Sequence, residues 1–168
     1  LTHTAGWDGD LFLDTGQGDD ALPRYLAAMA ELPQVAPLGT LVSYNNAGYT
    51  VLGRLVEVAT GQCFETAMKE LVLGPLGLEA ATYDPRAIMT ERFAVGHGVS
   101  PQGAKVARPW ALPRALYPAG GLLCHVRDLL RYACFHLGDG MTESGERLLS
   151  EASLAALHTP QAPVWGAL

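Results

Sequence analysis

Tyr44 and Asn46 are the two residues of this chain whose types and spacing best support chemistry. They stand two positions apart, where extended chain gives way to an apolar pattern with helical spacing. A tyrosine phenol can relay a proton, but its ordinary pKa of about 10 requires a neighbouring cation before it can act as a base at neutral pH. An asparagine side chain offers both a donor and an acceptor, which suits it to hold an amide substrate or a lysine.

The same two residues also have a purely structural interpretation. Asparagine is a favoured N-cap of helices, and a tyrosine just before a helix often packs in a hydrophobic staple. From the spacing alone, the catalytic and the structural interpretation both remain open.

Tyr44 and Asn46 precede one of several segments with helical periodicity. Apolar residues recur in these segments at the i, i+3, i+4 spacing that marks one buried face of a helix. A further short helix is predicted to open at Ser150 and to close before Pro160. The predicted buried faces are Leu22, Tyr25, Leu26 and Met29, with Asp19 or Asp20 as the cap; Leu52, Leu55, Val56 and Ala59, ending at Gly61; Phe64, Ala67, Met68 and Leu71; and Val126, Leu129, Leu130 and Ala133.

Between the third and fourth helices the chain is rich in proline and less regular. Residues 93–95 and 105–107 are predicted as short strands around a Ser-Pro-Gln-Gly turn. Several helices joined by short loops, with only one small hairpin, indicate a mainly α fold. We expect residues 1–168 to form a single domain.

Composition excludes several classes of function. The 168 residues carry a net charge of -6 with only 11 Lys and Arg, which argues against a nucleic-acid partner. No apolar run approaches the roughly 20 residues of a membrane span, so none is predicted. The compartment is left undetermined. We expect three buried or half-buried thiols without metal or redox spacing, Cys63, Cys124 and Cys134.

Neither a metal site nor a cofactor is predicted. The acidic stretch from Asp8 to Asp20 lacks the ligand spacing of a calcium loop, so a solvated loop is expected. His3 is expected to hydrogen-bond locally, without acting as a base. His125, His136 and His158 show no paired spacing, which makes zinc improbable.

Several segments, in order, resemble one family: the serine β-lactamases of class C and the related penicillin-binding proteins, D-Ala-D-Ala carboxypeptidases and esterases. Leu1-Thr2-His3-Thr4-Ala5-Gly6 is similar to the family's Leu-Thr-His-Thr-Ser-Gly, and Tyr44-Asn45-Asn46-Ala47-Gly48-Tyr49 to its Tyr-Ser-Asn-x-Gly-Tyr. Pro118-Ala119-Gly120-Gly121-Leu122 with Asp128-Leu129 resembles its Ala-Gly-Gly-Leu segment, in which Cys124 replaces the Ser that usually caps the next helix. The likeness extends over essentially the whole chain.

The resemblance implies a serine acyl-transfer mechanism in which a lysine and a tyrosine handle the proton. Tyr44 would be that tyrosine, and Asn46 would orient the lysine and contact the substrate's amide. The implied fold is the helical subdomain of the serine β-lactamase and D-Ala-D-Ala carboxypeptidase fold, without the main antiparallel sheet. The substrate of the full-length parent would be a β-lactam, a peptide or an ester.

Two elements of the family's site are missing from this sequence. No Ser-x-x-Lys occurs, the nearest imitation being Thr66-Ala67-Met68-Lys69, in which Lys69 is interpreted as a solvated charge. No predicted strand carries Lys-Thr-Gly or His-x-Gly. We therefore expect the chain to be the family's central portion, with negligible turnover by itself. The alternative is a non-catalytic interaction or ligand-binding module, and self-association through surface left exposed without the sheet is expected.

Overall fold

The computed structural model describes residues 2–7 and 10–162, and helices dominate them. The helices are α1 (Ala21–Met29), α2 (Ala47–Thr60), α3 (Phe64–Met68, extended by a π turn over Lys69–Leu73), α4 (Tyr117–Gly120, preceded by a 3₁₀ turn over Arg114–Leu116), α5 (Val126–Leu137) and α6 (Glu151–His158). The strands are β1 (His97–Ser100) and β2 (Gly103–Val106). The predicted mainly α fold with a small hairpin is confirmed.

Helices α1 and α2 pack against each other and against the turn that precedes α4. Tyr25 on α1 is fully buried, and its hydroxyl donates to the backbone carbonyl of Leu11. The Thr50 hydroxyl on α2 donates to the carbonyl of Ala115 at 2.9 Å inside the core. A Cβ at Gly53 would lie 2.2 Å from Pro118, so the close approach of α2 and α4 requires glycine there.

A second cluster of buried side chains joins α3, α5 and the segment that follows the π turn. Phe64 and Tyr83 meet edge to face at 5.3 Å, and Tyr117 packs against Tyr83 at 5.8 Å. Phe135 is the residue of α5 that enters this cluster. Three aromatic rings therefore connect α3, α4 and the intervening loop.

The hairpin forms around the predicted turn, but its first strand lies later than expected. Antiparallel pairing runs from His97 opposite Val106 to Ser100 opposite Gly103. The turn fixes the register of the hairpin, because Gly103, with a φ of +112°, closes it opposite Ser100. The two strands therefore meet the turn at Ser100 and Gly103. The predicted strand at 93–95 is therefore wrong, while 105–107 overlaps β2.

The predicted buried face of α5 is exposed instead, and parts of the predicted faces of α2 and α3 are exposed as well. On α2 Leu55 is 58% exposed, and on α5 Val126, Leu129 and Leu130 are 68%, 57% and 59% exposed. Leu71, predicted on the buried face of α3, is also exposed. Periodicity identifies an apolar face but does not say what covers it. The further predicted core residues that lie exposed are Ala59 and Ala133.

Some caps differ from the predictions. Asp20 occupies the N-cap position of α1 without a side-chain cap bond, and it pairs with Arg24 at 2.7 Å instead. At α5 the cap is His125, whose Nδ1 accepts from the amide of Asp128 at 3.2 Å, so the cap position inferred for Cys124 is wrong. Gly61 ends α2 in the left-handed conformation, as expected.

Among the described residues, no helix combines the length and the apolar character needed to cross a membrane.

Candidate functional site

The N-terminal segment forms a support under the start of α2. The carbonyls of His3, Thr4 and Gly6 accept hydrogen bonds, each 2.8 Å long, from the amides of Ser43, Gly39 and Val35. A Cβ at Gly6 would lie 2.1 Å from the carbonyl oxygen of Ala36, and the φ of Gly6 is +75°. Only glycine tolerates both conditions, so the Thr-Ala-Gly end of the first motif has a structural reason.

Tyr44 stands on the surface with its ring supported from one side. The side chain is 66% exposed and stacks on His3, with ring centroids 4.3 Å apart and planes at 28°. Its hydroxyl oxygen lies 3.4 Å from Oδ1 of Asn46. Such a long contact is weak, so the phenol hydroxyl remains available to another partner.

Neighbouring asparagines have separate roles at the start of α2. Asn45 is 3% exposed, and its Oδ1 accepts from the amide of Gly48 at 2.8 Å. Asn46 occupies the N-cap position without a side-chain cap bond. The residue that caps through its side chain is thus Asn45, which leaves the side chain of Asn46 to other contacts.

Asp10 holds Asn46 at two points. The backbone amide of Asn46 donates to one carboxylate oxygen of Asp10, and its Nδ2 donates to the other at 2.7 Å. This pairing leaves Oδ1 of Asn46 on the side of Tyr44. Asp10 was expected only as part of a solvated loop, and nothing in its separation of 36 residues from Asn46 signals the contact.

His3 makes the local hydrogen bond expected of it. Its Nδ1 accepts from the backbone amide of Asn45 at 3.1 Å, and its φ of 55° is unusual for a residue other than glycine. The same ring contacts Tyr44 and, at 5.3 Å between centroids, Tyr49. His3 thus connects the first motif to the Tyr-Asn-Asn motif.

A small cavity of about 320 Å³ adjoins this support, and His3, Asn45 and Tyr49 are among the residues that line it. A larger open cleft of about 1030 Å³ lies elsewhere, between α3 and the segment before α4. Tyr44 and Asn46 line neither of these two cavities, so the candidate site is identified by its side chains and not by a cavity.

The larger cleft is lined by paired charges and buried phenols. The guanidinium of Arg114 contacts Glu65 at 2.6 Å and Asp19 at 2.9 Å, and the hydrogen bond to Glu65 raises the pKa of Arg114 further. Burial raises the pKa of Tyr83 to about 12. These groups are engaged in ion pairs and in aromatic packing.

The partners that the acyl-transfer site needs are not assembled around Tyr44. Its contacts with described side chains are to His3 and Asn46, and no lysine is among them. Lys69 is exposed in the π turn after α3, in agreement with its interpretation as a solvated charge. A His-x-Gly triplet does occur at His136–Gly138, but it closes α5, so it is not on a strand.

The remaining cysteines and histidines differ partly from expectation. All three thiols are free, but only Cys63 is half-buried, whereas Cys124 and Cys134 are exposed. The histidines at 136 and 158 are not scattered, because their ring nitrogens lie 3.2 Å apart. They lie in the last turns of α5 and α6 and are 22 residues apart in the chain, so no local spacing could predict the contact.

Comparison with known proteins agrees with this description. The family model described as Beta-lactamase matches residues 1–166. Penicillin-binding protein 4 of Amycolatopsis lactamdurans is 41% identical over 162 residues, covering 94% of this chain and 42% of that protein. A Mycobacterium tuberculosis protein is 33% identical over 175 residues, again 42% of its length. The chain therefore spans about two fifths of these relatives.

Solved structures show the same fold. The octameric penicillin-binding protein homologue from Pyrococcus abyssi superposes with a TM-score of 0.80 over 99% of this chain and 39% of that one, at 23% identity. SurE superposes with a TM-score of 0.69 at 34% identity, over 96% of this chain and 38% of that one. With its family match, its mainly helical architecture and its motifs in order, the chain belongs to the Beta-lactamase family, as a helical portion of the β-lactamase and penicillin-binding protein fold.

Proposed function

We propose that this chain supplies the Tyr-x-Asn element of a serine acyl-transfer hydrolase whose nucleophile lies in other segments of a longer protein. The observation that carries the proposal is the division of roles at the start of α2. Asn45 does the capping, which leaves the exposed Tyr44 hydroxyl and Oδ1 of Asn46 side by side on the surface. Side chains with purely structural roles do not need this exposure.

The proposed reaction proceeds in two steps. A serine oxygen of the parent attacks the substrate carbonyl, and its proton passes through the lysine and Tyr44 to the leaving nitrogen or oxygen as that bond breaks. Water then attacks the acyl-enzyme and gives a proton to the same groups, which return a proton to the serine oxygen as the bond between that oxygen and the acyl group breaks and the acid is released. A lysine ammonium beside Tyr44 would stabilise the phenolate form of its side chain.

Asn46 would orient rather than react. Because Asp10 engages Nδ2, Oδ1 is the atom that can accept from a lysine ammonium or from a substrate amide. The substrate is a β-lactam, a D-Ala-D-Ala peptide or an ester, and the name penicillin-binding protein 4 of the Amycolatopsis relative favours the first two.

The test is hydrolysis of a chromogenic cephalosporin and a nitrophenyl ester by a chain extended to the length of the relatives. Tyr44→Phe should lower kcat by at least about a hundredfold, the lower end of a general acid–base contribution. Tyr132→Phe, a partly exposed tyrosine on α5, is the matched control and should leave kcat unchanged. Equal kcat values for wild type and Tyr44→Phe would contradict the proposal.

We also propose that residues 1–168 alone have negligible turnover, because no Ser-x-x-Lys occurs in them. The same two substrates test this directly. Multiple turnovers that disappear in Tyr44→Phe would show that the isolated chain holds a complete site.

A second candidate function is a non-catalytic interaction module, and the uncovered apolar surface favours it. Leu129 and Leu130 on α5 are more than half exposed, and surfaces of this kind promote association. We propose that the isolated chain self-associates through this surface. Sedimentation should show oligomers that Leu129→Glu converts to monomers, whereas a wild-type monomer at high concentration would contradict self-association.

A further inference from the structure

Two histidines that are far apart in the sequence meet at the ends of α5 and α6. Nδ1 of His136 lies 3.2 Å from Nε2 of His158, with ring centroids 5.4 Å apart and planes tilted by 47°. Each histidine lies in the last turn of its helix. The catalytic proposal uses neither of them.

The two rings differ in how firmly they are held. His136 packs edge-on against Tyr132 at 4.5 Å and against Phe135 at 5.6 Å, and Phe135 is buried in the core. His158 is exposed. One imidazole is therefore fixed by aromatic neighbours, and the other can rotate with little steric cost.

We propose that His136 and His158 together bind one divalent transition-metal ion, of which Zn²⁺ is the representative. With Zn–N bonds of about 2.0–2.1 Å, two imidazole nitrogens on a tetrahedral ion stand about 3.3 Å apart. The observed separation is 3.2 Å. The nitrogens already have the spacing of two ligands, and rotation of the rings directs their lone pairs to a common point.

Binding requires one rearrangement of protons and no co-reactant. In the pair, one ring nitrogen donates its N–H to the other. The ion replaces that shared hydrogen, and the donor imidazole carries its proton on its other ring nitrogen, so that both rings stay neutral. Two N–metal bonds form and one hydrogen bond is lost.

The ligand set determines which ion fits. Imidazole suits zinc, copper and nickel, whereas magnesium and calcium require oxygen ligands. In the part of the chain that the structure describes, no three His, Cys, Asp or Glu residues are grouped to hold a metal. Water molecules would complete the coordination, so moderate affinity is expected.

A bound ion would fasten α6 to α5. Leu154 is the residue of α6 that is buried, so this helix has little apolar anchoring of its own. An ion that binds only when the two histidines are together stabilises the docked helix by mass action.

The experiment is calorimetric titration of Zn²⁺ into the tag-free chain at about pH 7.5, where free imidazole is mostly neutral. We expect one ion per chain. His136→Ala and His158→Ala should each weaken binding at least about tenfold, and the double variant no further, because both remove the same two-ligand site. The matched control is His97→Ala, an exposed histidine on β1, which should bind as wild type does. Mg²⁺ should give no heat of binding.

Three outcomes would overturn the proposal: absence of Zn²⁺ binding, equal losses in His97→Ala, or unchanged binding in both single variants. The last result would place the ion at other residues of the chain. If His136→Ala fails to fold, as judged by circular dichroism, His158→Ala decides alone because its side chain is exposed. Zinc-induced shifts of the His136 and His158 ring resonances, with His97 unmoved, would give independent support.

Discussion

Helices α1 and α5 have equally clear apolar faces, yet the face of α1 is buried and the face of α5 is exposed. On α1 Leu22, Tyr25 and Met29 are 3%, 0% and 6% exposed, because α2 and the turn before α4 cover them. On α5 the equivalent face is more than half exposed at Val126, Leu129 and Leu130. Similar periodicity therefore accompanies a buried face in one case and an exposed apolar face in the other.

Identical deletions on the two helices should have very different effects on stability. Leu22→Ala removes a buried side chain and should lower the free energy of unfolding by about 2–5 kcal/mol. Leu129→Ala, the matched control on the exposed face, should change it by less than about 0.5 kcal/mol. Urea unfolding at low protein concentration measures both. Equal losses would mean that the α5 face is covered in solution.

High pH should lower the free energy of unfolding through the buried tyrosines. Burial, aided by the charge of Asp10, raises the pKa of Tyr25 from 10 to about 12, and burial does the same for Tyr83. Below pH 10 both the folded and the unfolded chain keep these protons. Between about pH 10 and 12 the unfolded chain loses them first, so stability falls by at most about 2–3 kcal/mol per residue.

This expectation is tested by measuring unfolding free energies between about pH 9 and 12, a range that spans the window. Tyr25→Phe removes one of the two contributions and should give a shallower decline than wild type. A decline of the same steepness in Tyr25→Phe would show that Tyr25 does not titrate late in the folded state.

The smallest expected effects separate the two adjacent asparagines. Asn45→Ala removes the side-chain cap of α2 and should cost about 1 kcal/mol. Asn46→Ala removes only exposed side-chain contacts, to Asp10 and Tyr44, and should cost less than about 0.5 kcal/mol. Thermal unfolding of the two variants gives the order. A larger loss in Asn46→Ala would assign Asn46 a structural role and weaken the catalytic interpretation.

Local patterns in the sequence were sufficient for α1, α2, α3, α5 and α6 and for the turn of the hairpin. The short helix α4 was not predicted, because it follows directly on the proline-rich stretch that was expected to be irregular. Leu22, Tyr25 and Met29 repeat at helical spacing and are buried as predicted, and the Ser-Pro-Gln-Gly turn lies where β1 meets β2. These features depend on neighbouring residues, whose preferences can be read directly from the chain.

Long-range contacts could not be predicted from the sequence in the same way. Asp10 reaches Asn46 across 36 residues, and His136 meets His158 across 22. Both contacts depend on how loops and helices pack, and neither has a periodic signal. Likewise, periodicity could not predict that Leu129 is exposed, because its exposure depends on whether another part of the fold packs over it. The candidate residues Tyr44 and Asn46 were found through motif order, and Asp10 was found only in the structure.

We propose that this chain carries the assisting Tyr-x-Asn element and not the nucleophile. This proposal is tested by intact-mass measurement after incubation with a penicillin, in parallel for residues 1–168 and for the extended chain. We predict that residues 1–168 keep their mass, while the extended chain gains one penicilloyl group that Tyr44→Phe acquires more slowly. A penicilloyl adduct on residues 1–168 would contradict the claim, because the nucleophile would then lie within this chain.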